Sequence, residues 1–200
     1  MSQGLVKLVG GLLFWDSNDG QSRRVALADN DPVRSTYSYA IGGLTVATAA
    51  TDVAVLELPL AQTNKLIRLR QIQVSGSAGT TNSYVLNVIK RSLLNSGGTR
   101  TTPTPVPRDS RLDPASAVLG LYTVNPTINN TVGPIDGGRL TLATSGGNTL
   151  DRLNLQYSWL NDMAPVLRNP GECLALNFNG SLPAGALIDI SISWTEEEIT

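Results

Sequence analysis

The feature that most constrains this fold is an alternation of apolar and polar side chains that recurs along much of the chain. From Ile188 to Trp194 every second residue is Ile or Trp, and the residues between them are Asp and Ser. A period of two predicts a strand that turns one face to a core and the other to water. Similar segments predict further strands at Tyr37–Ile41, Val53–Leu58, Arg139–Ala143, Asp151–Trp159 and Glu172–Phe178. Two hydrophobic segments without a clear alternation predict strands at Tyr84–Ile89 and Ala117–Val124.

Turn-forming residues separate these strands and leave little room for helices. Gly42-Gly43 and Gly137-Gly138 are interpreted as turns, and one helical turn is predicted at Asp113–Ala117. Many short strands with turns between them indicate an all-β fold, an antiparallel β-sandwich of jelly-roll-like type. The predicted core comprises Leu153, Leu155, Leu174, Leu176, Ile188, Ile190 and Ile192.

The segment Asn64–Val74 changes its alternation partway along. Ile67 and Leu69 are apolar at odd positions, whereas Ile72 and Val74 are apolar at even positions. A β-bulge, or a strand that bends from one sheet into another, shifts the register in this way. We therefore predict an irregularity near Arg70.

The first 35 residues form a segment of different character. Short strands are predicted at Leu5–Val9, Leu12–Trp15 and Arg23–Ala28, so the segment is interpreted as an arm or a hairpin of residues 1–35 attached to a sandwich of residues 36–200. Four consecutive large apolar residues, if exposed, would promote aggregation. We therefore predict that this run docks on a partner; its members are Leu12, Leu13, Phe14 and Trp15.

A polar, proline-rich segment interrupts the hydrophobic strands near the middle of the chain. Asn95–Ala117 contains four prolines and few large apolar side chains, a composition that buries too little surface to order itself. The alternatives are a loop that orders against a neighbouring protein and a flexible solvent loop. Its arginines, Arg100, Arg108 and Arg111, are predicted to form ion pairs with a protein neighbour. Nucleic-acid binding is disfavoured because no aromatic residues lie between them to stack on bases.

The composition excludes several classes of function. The chain has no His, which removes the usual general base, and its single Cys173 lies in a predicted strand without a His partner. A net charge of −1 gives no field that attracts DNA, and the apolar runs are too short to span a bilayer. We predict no enzymatic activity and no cofactor.

The acidic residues are predicted to serve structural roles. Glu196, Glu197 and Glu198 are interpreted as a solvated terminus. The remaining candidates for paired-carboxylate glycoside hydrolysis are assigned to turns or to the surface. They are Asp52, Glu57, Asp109, Asp113, Asp136, Asp151, Asp162, Glu172 and Asp189.

Carbohydrate binding is an alternative that the tryptophans raise. Trp159 and Trp194 occupy the apolar phase of their predicted strands and are expected in the core. Trp15 alone is a candidate for an exposed platform for sugar rings.

Residues 36–198 carry sequence runs that resemble a group of tailed-bacteriophage virion proteins. The similar runs are YSYAIGGLTVATAATDVAVLEL, KLIRLRQIQVSG, LNVIKRSLLNSGGT, PVPRDSRLDPASAVLGLYTVNPT, APVLRNPGECLALNFNG and LPAGALIDISISWTEEE. The most specific parts are the loop that follows IKRS and the closing strand with WTEE. Residues 1–35 are not covered by the resemblance.

The resemblance implies a jelly-roll-like sandwich without catalytic activity that decorates or cements capsids. The expected partners are the major capsid protein or another virion protein, together with further copies of this chain in a dimer or trimer. The expected location is the capsid surface of a virion assembled in the host cytoplasm. A head-fibre, neck or tail protein remains an alternative, as does a carbohydrate-binding module for host recognition.

Overall fold

The computed structural model describes residues 7–9, 12–16, 22–25, 35–46, 51–144, 151–157, 164–180, 182–183 and 185–199, with the backbone alone before residue 35. The chain divides into two compact units, Met1–Arg34 and Ser35–Thr200. The first unit contains strands β1 (Lys7–Val9), β2 (Leu12–Asp16) and β3 (Ser22–Val25). They form an antiparallel sheet in the order β1-β2-β3. The predicted apolar run therefore lies on the central strand of this small sheet.

The described residues of the second unit form twelve strands. They are β4 (Ser35–Thr45), β5 (Thr51–Glu57), β6 (Lys65–Ala78), β7 (Asn82–Arg91), β8 (Thr99–Thr101), β9 (Val106–Pro107), β10 (Val118–Val124), β11 (Thr131–Thr144), β12 (Leu153–Gln156), β13 (Val166–Leu167), β14 (Cys173–Phe178) and β15 (Leu187–Glu198). The predicted all-β class is confirmed, and no helix occurs within the described ranges. The helical turn predicted at Asp113–Ala117 is absent.

All twelve strands belong to one hydrogen-bonded sheet that curls on itself. Its order is β8-β10-β5-β14-β7-β11-β6-β15-β4-β9, and β12 and β13 both pair with β6. Strand β11 joins the two halves, because it pairs antiparallel with β7 along most of its length and parallel with β6 at Ala143 and Thr144. The first half runs from β8 to β7, and the second half contains β6, β15, β4, β9, β12 and β13.

The core lies between these two halves. Leu174 and Leu176 of the first half and Ile190 and Ile192 of the second line the same internal void of about 10 Å³, which is barely large enough for one water molecule. Every residue of the predicted core is buried except Leu153, which is half-buried and packs at its margin.

The register change predicted near Arg70 is a β-bulge. Gln71 pairs with Ser193 and Leu69 pairs with Trp194, so Arg70 is an extra residue on β6. The bulge keeps Leu69 and Ile72 on the core side although they are three positions apart. The interpretation of the two glycine pairs as turns is wrong, because both pairs lie inside strands, β4 and β11.

The backbones of β6 and β15 lie close together at Gly76. A Cβ atom at this position would lie 2.3 Å from the carbonyl oxygen of Leu187. Gly76→Ala is expected to lower the free energy of unfolding by about 1–3 kcal/mol, the usual cost of forcing atoms into a packed site. Gly79→Ala is the matched control, because a Cβ there meets nothing within 4 Å. Equal urea midpoints for the two variants would contradict the prediction.

Candidate functional site

The proline-rich segment supplies the strands at the two ends of the main strand path, β8 and β9. We call residues 99–107 the strap. At one end of the strap β8 pairs with β10, and at the other end β9 pairs with β4. Four residues separate the two strands, so they lie within about 17 Å of each other along the chain. The strap is thus ordered against its own sheet, and the solvent-loop alternative is wrong.

The composition of the strap suits an edge. Pro107 lies in β9 opposite Tyr37, and a proline there offers no N–H group to a further strand. The backbone N–H of Arg108 donates to the carbonyl oxygen of Thr36 at 2.8 Å, which extends this contact beyond the strand. Edge strands that hinder further pairing protect a sheet from aggregation.

Arg100 makes an ion pair within its own chain. Its Nη1 donates to Oε1 of Glu57, whose side chain is 4% exposed, and its guanidinium lies 5.9 Å from the ring centre of Tyr122. Burial raises the pKa of Glu57, and the charge of Arg100 offsets this effect only in part. Arg100 therefore compensates a buried carboxylate and links the strap to β5.

The other two arginines of the predicted interaction site, Arg108 and Arg111, are exposed and do not share the ion pair of Arg100 with Glu57. Arg111 donates to both carboxylate oxygens of Asp109, at 2.9 and 3.2 Å, in a pair whose arginine side chain is 87% exposed. The side chain of Arg108 is exposed and has no ion-pair partner within the described residues. The three arginines thus lie in three different environments along the strap and the segment that follows it.

A buried ion pair that the sequence did not reveal lies on the outer face of the first half-sheet. Arg91 of β7 donates to both oxygens of Asp52 of β5, at 2.7 and 3.1 Å, and the two side chains are 2% and 0% exposed. Asn95 and Asn177 each donate an amide N–H to Asp52 at 2.7 Å. Since β14 lies between β5 and β7, the side chain of Arg91 spans β14 and ties three strands together.

Two loop segments, 92–98 and 125–130, are linked beside this ion pair. Ser96 and Thr127 exchange two backbone hydrogen bonds, at 3.1 and 2.7 Å. Cys173 is buried next to them, its thiol donates to the carbonyl oxygen of Leu93 at 3.7 Å, and burial raises its pKa to about 12. A thiol with such a pKa is mostly protonated at neutral pH, so it suits the predicted packing role in a strand.

The interpretation of the acidic residues near the end of β15 as a solvated terminus is confirmed for Glu198, which is exposed, and is wrong for Glu196. Glu196 is 5% exposed, and its carboxylate accepts hydrogen bonds from the backbone N–H groups of Ser116 and Ala117, at 2.9 and 3.0 Å. It also accepts one from Nε1 of Trp194 at 3.0 Å. Glu197 and Glu198 form ion pairs with Arg68 and Lys65.

Three of the carboxylates assigned to turns or the surface are buried as well. They are Asp52, Glu57 and Glu172. The pKa of Glu172 is lowered overall. Burial alone would raise it, but hydrogen bonds from Arg168 and Asn169 and the charge of Lys90 outweigh the effect of burial. Asp162 lies outside the described residues.

The tryptophans provide no described platform for sugar rings. Trp194 is fully buried and stacks on Tyr37, with ring centres 6.1 Å apart, as predicted for a core residue. Trp159 lies outside the described residues. The side chains of the predicted docking run, Leu12, Leu13, Phe14 and Trp15, are also not described, so their role stays a prediction.

A polar groove lies on the outer face of the second half-sheet. It has a volume of about 300 Å³ and crosses β4, β15 and β6. Asp189 lies on β15, where its two carboxylate oxygens accept hydrogen bonds from the N–H of Gly43 at 2.8 Å and the hydroxyl of Ser75 at 3.3 Å. Arg152, which precedes β12, donates to the side-chain oxygen of Gln73. The groove therefore holds one acidic and one basic side chain.

Comparisons with known proteins give no relatives. No protein-family model matches the chain, and neither a curated protein nor a solved structure is similar to it. Within the described residues, no helix is long and apolar enough to cross a membrane. The same residues contain no group of three or more Cys, Asp or Glu placed to hold a metal ion.

Proposed function

We propose that this chain is a non-enzymatic structural protein of a tailed-bacteriophage virion, acting as a capsid decoration or cement protein. Its partners are the major capsid protein and further copies of the chain in a dimer or trimer. The sequence resemblance over residues 36–198 supports this assignment. Head-fibre, neck and tail positions are alternatives within the same structural class.

The observation that carries the proposal is that the strap supplies the strands at both ends of the main strand path. A lattice protein is held at high local concentration beside many identical copies, where open strand edges would pair indiscriminately. Here the two end strands, β8 and β9, come from one segment that contains three prolines between residues 103 and 107. Specific contacts must then come from side chains or from the separate Met1–Arg34 unit.

Copy number in purified virions tests the position of the protein. Capsid decoration requires hundreds of copies per particle, because every copy of a symmetric shell presents the same surface. Quantitative gel analysis against the major capsid protein measures this number. A few dozen copies or fewer would place the protein in the neck, tail or fibres, and absence from virions would contradict the proposal.

Replacing the apolar run in the first unit tests the attachment. One variant has Ser in place of all four residues of the run, Leu12, Leu13, Phe14 and Trp15. It is expected to bind capsids at least tenfold more weakly, since each fully buried apolar side chain contributes about 1.5–3 kcal/mol. The paired control Arg108→Gln and Arg111→Gln should change binding little, because exposed charges contribute little. Co-sedimentation with capsids that lack the protein measures both. Undiminished binding of the Ser variant would show that attachment lies elsewhere.

A further inference from the structure

The polar groove of the second half-sheet has the features of a small binding site. Three small residues on β4 and β15, Ala40, Gly42 and Ser191, line it together with the longer Gln73 and Arg152. A Cβ atom on Gly42 would lie 3.3 Å from Oδ1 of Asp189, so a larger residue there would crowd the carboxylate.

Arg152 gives the groove a cation that is not neutralised. Its side chain is exposed, and one of its Nη groups donates to Gln73. No described carboxylate forms an ion pair with it. A guanidinium has five N–H donors in a planar fork, so Arg152 retains the donors needed to bind a carboxylate at two points.

Asp189 provides hydrogen-bond acceptors on the side of the groove opposite Arg152. Asp189 pairs with Ser75 in the β15–β6 ladder, and Leu153 pairs with Val74, which places Arg152 next to Ser75 on the β12 side. The backbones that carry the acid and the base are therefore two strand spacings apart, or about 10 Å. Asp189 accepts two hydrogen bonds from the protein, and a carboxylate has room for about four.

We propose that this groove binds an acidic sugar, a single pyranose ring that bears a carboxylate. The guanidinium of Arg152 pairs with the sugar carboxylate, and Asp189, Ser191 and Gln73 exchange hydrogen bonds with ring hydroxyls. The volume of about 300 Å³ is at the lower end for small-molecule sites, which limits the occupant to about one ring. The inference adds a ligand site to the proposed structural role and holds for any position in the virion.

The charge on Arg152 favours this occupant over a neutral sugar. A neutral ring would leave the guanidinium without an anionic partner, whereas a carboxylate adds a charge-assisted hydrogen bond, which is stronger than a neutral one. A bare anion would use Arg152 but would bring no hydroxyl groups to Asp189 and Ser191. Recognition of a hydroxylated ring with one carboxylate uses both sides of the groove.

Titration of the ¹⁵N-labelled full chain with matched probes tests the proposal by NMR. D-Glucuronate and D-glucose differ mainly in the carboxylate. Acetate has a carboxylate but no sugar ring. The blocked peptide acetyl-Gly-Glu-Gly-amide has a carboxylate on a peptide side chain. Glucuronate is expected to shift the amide signals of Gly43, Gln73 and Ser191. Glucose, acetate and the peptide should each bind at least about tenfold more weakly than glucuronate, as expected when a charged hydrogen bond or the ring contacts are lost.

Three variants assign the binding to this groove. Arg152→Gln should weaken glucuronate binding about tenfold and leave glucose binding unchanged, because only the charged contact is lost. Ser191→Leu should block both sugars by filling the groove. Arg108→Gln removes another exposed arginine, directly after the strap, and should change the binding of neither sugar.

Several outcomes would overturn the proposal. Equal affinity for glucuronate and glucose would exclude recognition of the carboxylate. Acetate or the glutamate peptide binding as tightly as glucuronate would indicate an anion site or a peptide site instead. Absence of shifts in the groove, or an equal effect of Arg108→Gln, would exclude a specific sugar site there.

Discussion

Replacing Arg91 by Met is expected to lower the free energy of unfolding by about 3–5 kcal/mol, the usual cost of leaving a buried charge without its partner. The carboxylate of Asp52 is fully buried and would lose its charged partner, while the neutral amide donors of Asn95 and Asn177 would remain. The variant would also lose the hydrogen bond that Arg91 donates to Thr131. Urea unfolding followed by the fluorescence of the buried Trp194 measures the change.

The chain offers a matched control for this pair. Arg111 and Asp109 form the same kind of two-point contact, but the arginine is 87% exposed, so Arg111→Met should leave the free energy of unfolding nearly unchanged. The double variant Arg91→Met with Asp52→Leu should be less destabilised than the sum of the two single variants, because it leaves neither charge alone. Equal losses of unfolding free energy for Arg91→Met and Arg111→Met would contradict the role of burial.

Alternation along the sequence was sufficient to predict most of the longer strands and most of the core, but not the short strands β8, β9 and β13. The pattern depends only on neighbouring residues, and it located even the bulge at Arg70, because an extra residue shifts every apolar side chain after it by one position. The joining of the two half-sheets through β11 was not predicted. That link depends on two residues, Ala143 and Thr144, whose parallel partners lie 66 positions earlier in the chain.

The polar interior was not predictable in the same way. Asp52 and Arg91 are 39 positions apart, and Asn177 is a further 86 positions along. A charged residue in an apolar strand is most simply placed at the surface, since burial of a lone charge is costly. Only the folded chain brings the partner that removes this cost. The one sequence signal was the position of Asp52 and Glu57 at the two ends of a continuous apolar run.

The strap shows how a correct compositional argument led to an incomplete structural one. Residues 95–117 indeed bury little apolar surface of their own. Their order comes from backbone pairing with β10 and β4 and from the ion pair between Arg100 and Glu57. Such pairing requires few apolar side chains, so composition alone could not distinguish an edge strand from a flexible loop.

Replacing Glu196 by Ala is expected to lower the free energy of unfolding by about 3–5 kcal/mol, because three donors lose their acceptor and each buried unpaired donor costs about 1–3 kcal/mol. The donors are the N–H groups of Ser116 and Ala117 and the indole N–H of Trp194. Water entering the vacated space would bring the total below the simple sum. Urea unfolding of the full chain measures the loss.

Glu198→Ala is the matched control from the same strand. Its carboxylate pairs with Lys65 at 3.1 Å but is 69% exposed, so its removal should cost less than about 1 kcal/mol. Glu196 also anchors the segment that follows the strap, and its loss should release that segment before the whole unit unfolds. Trypsin should then cleave after Arg108 and Arg111 faster in Glu196→Ala than in Glu198→Ala. Equal cleavage rates would show that Tyr37, whose hydroxyl donates to the carbonyl of Asp113 at 2.8 Å, holds the segment without the carboxylate.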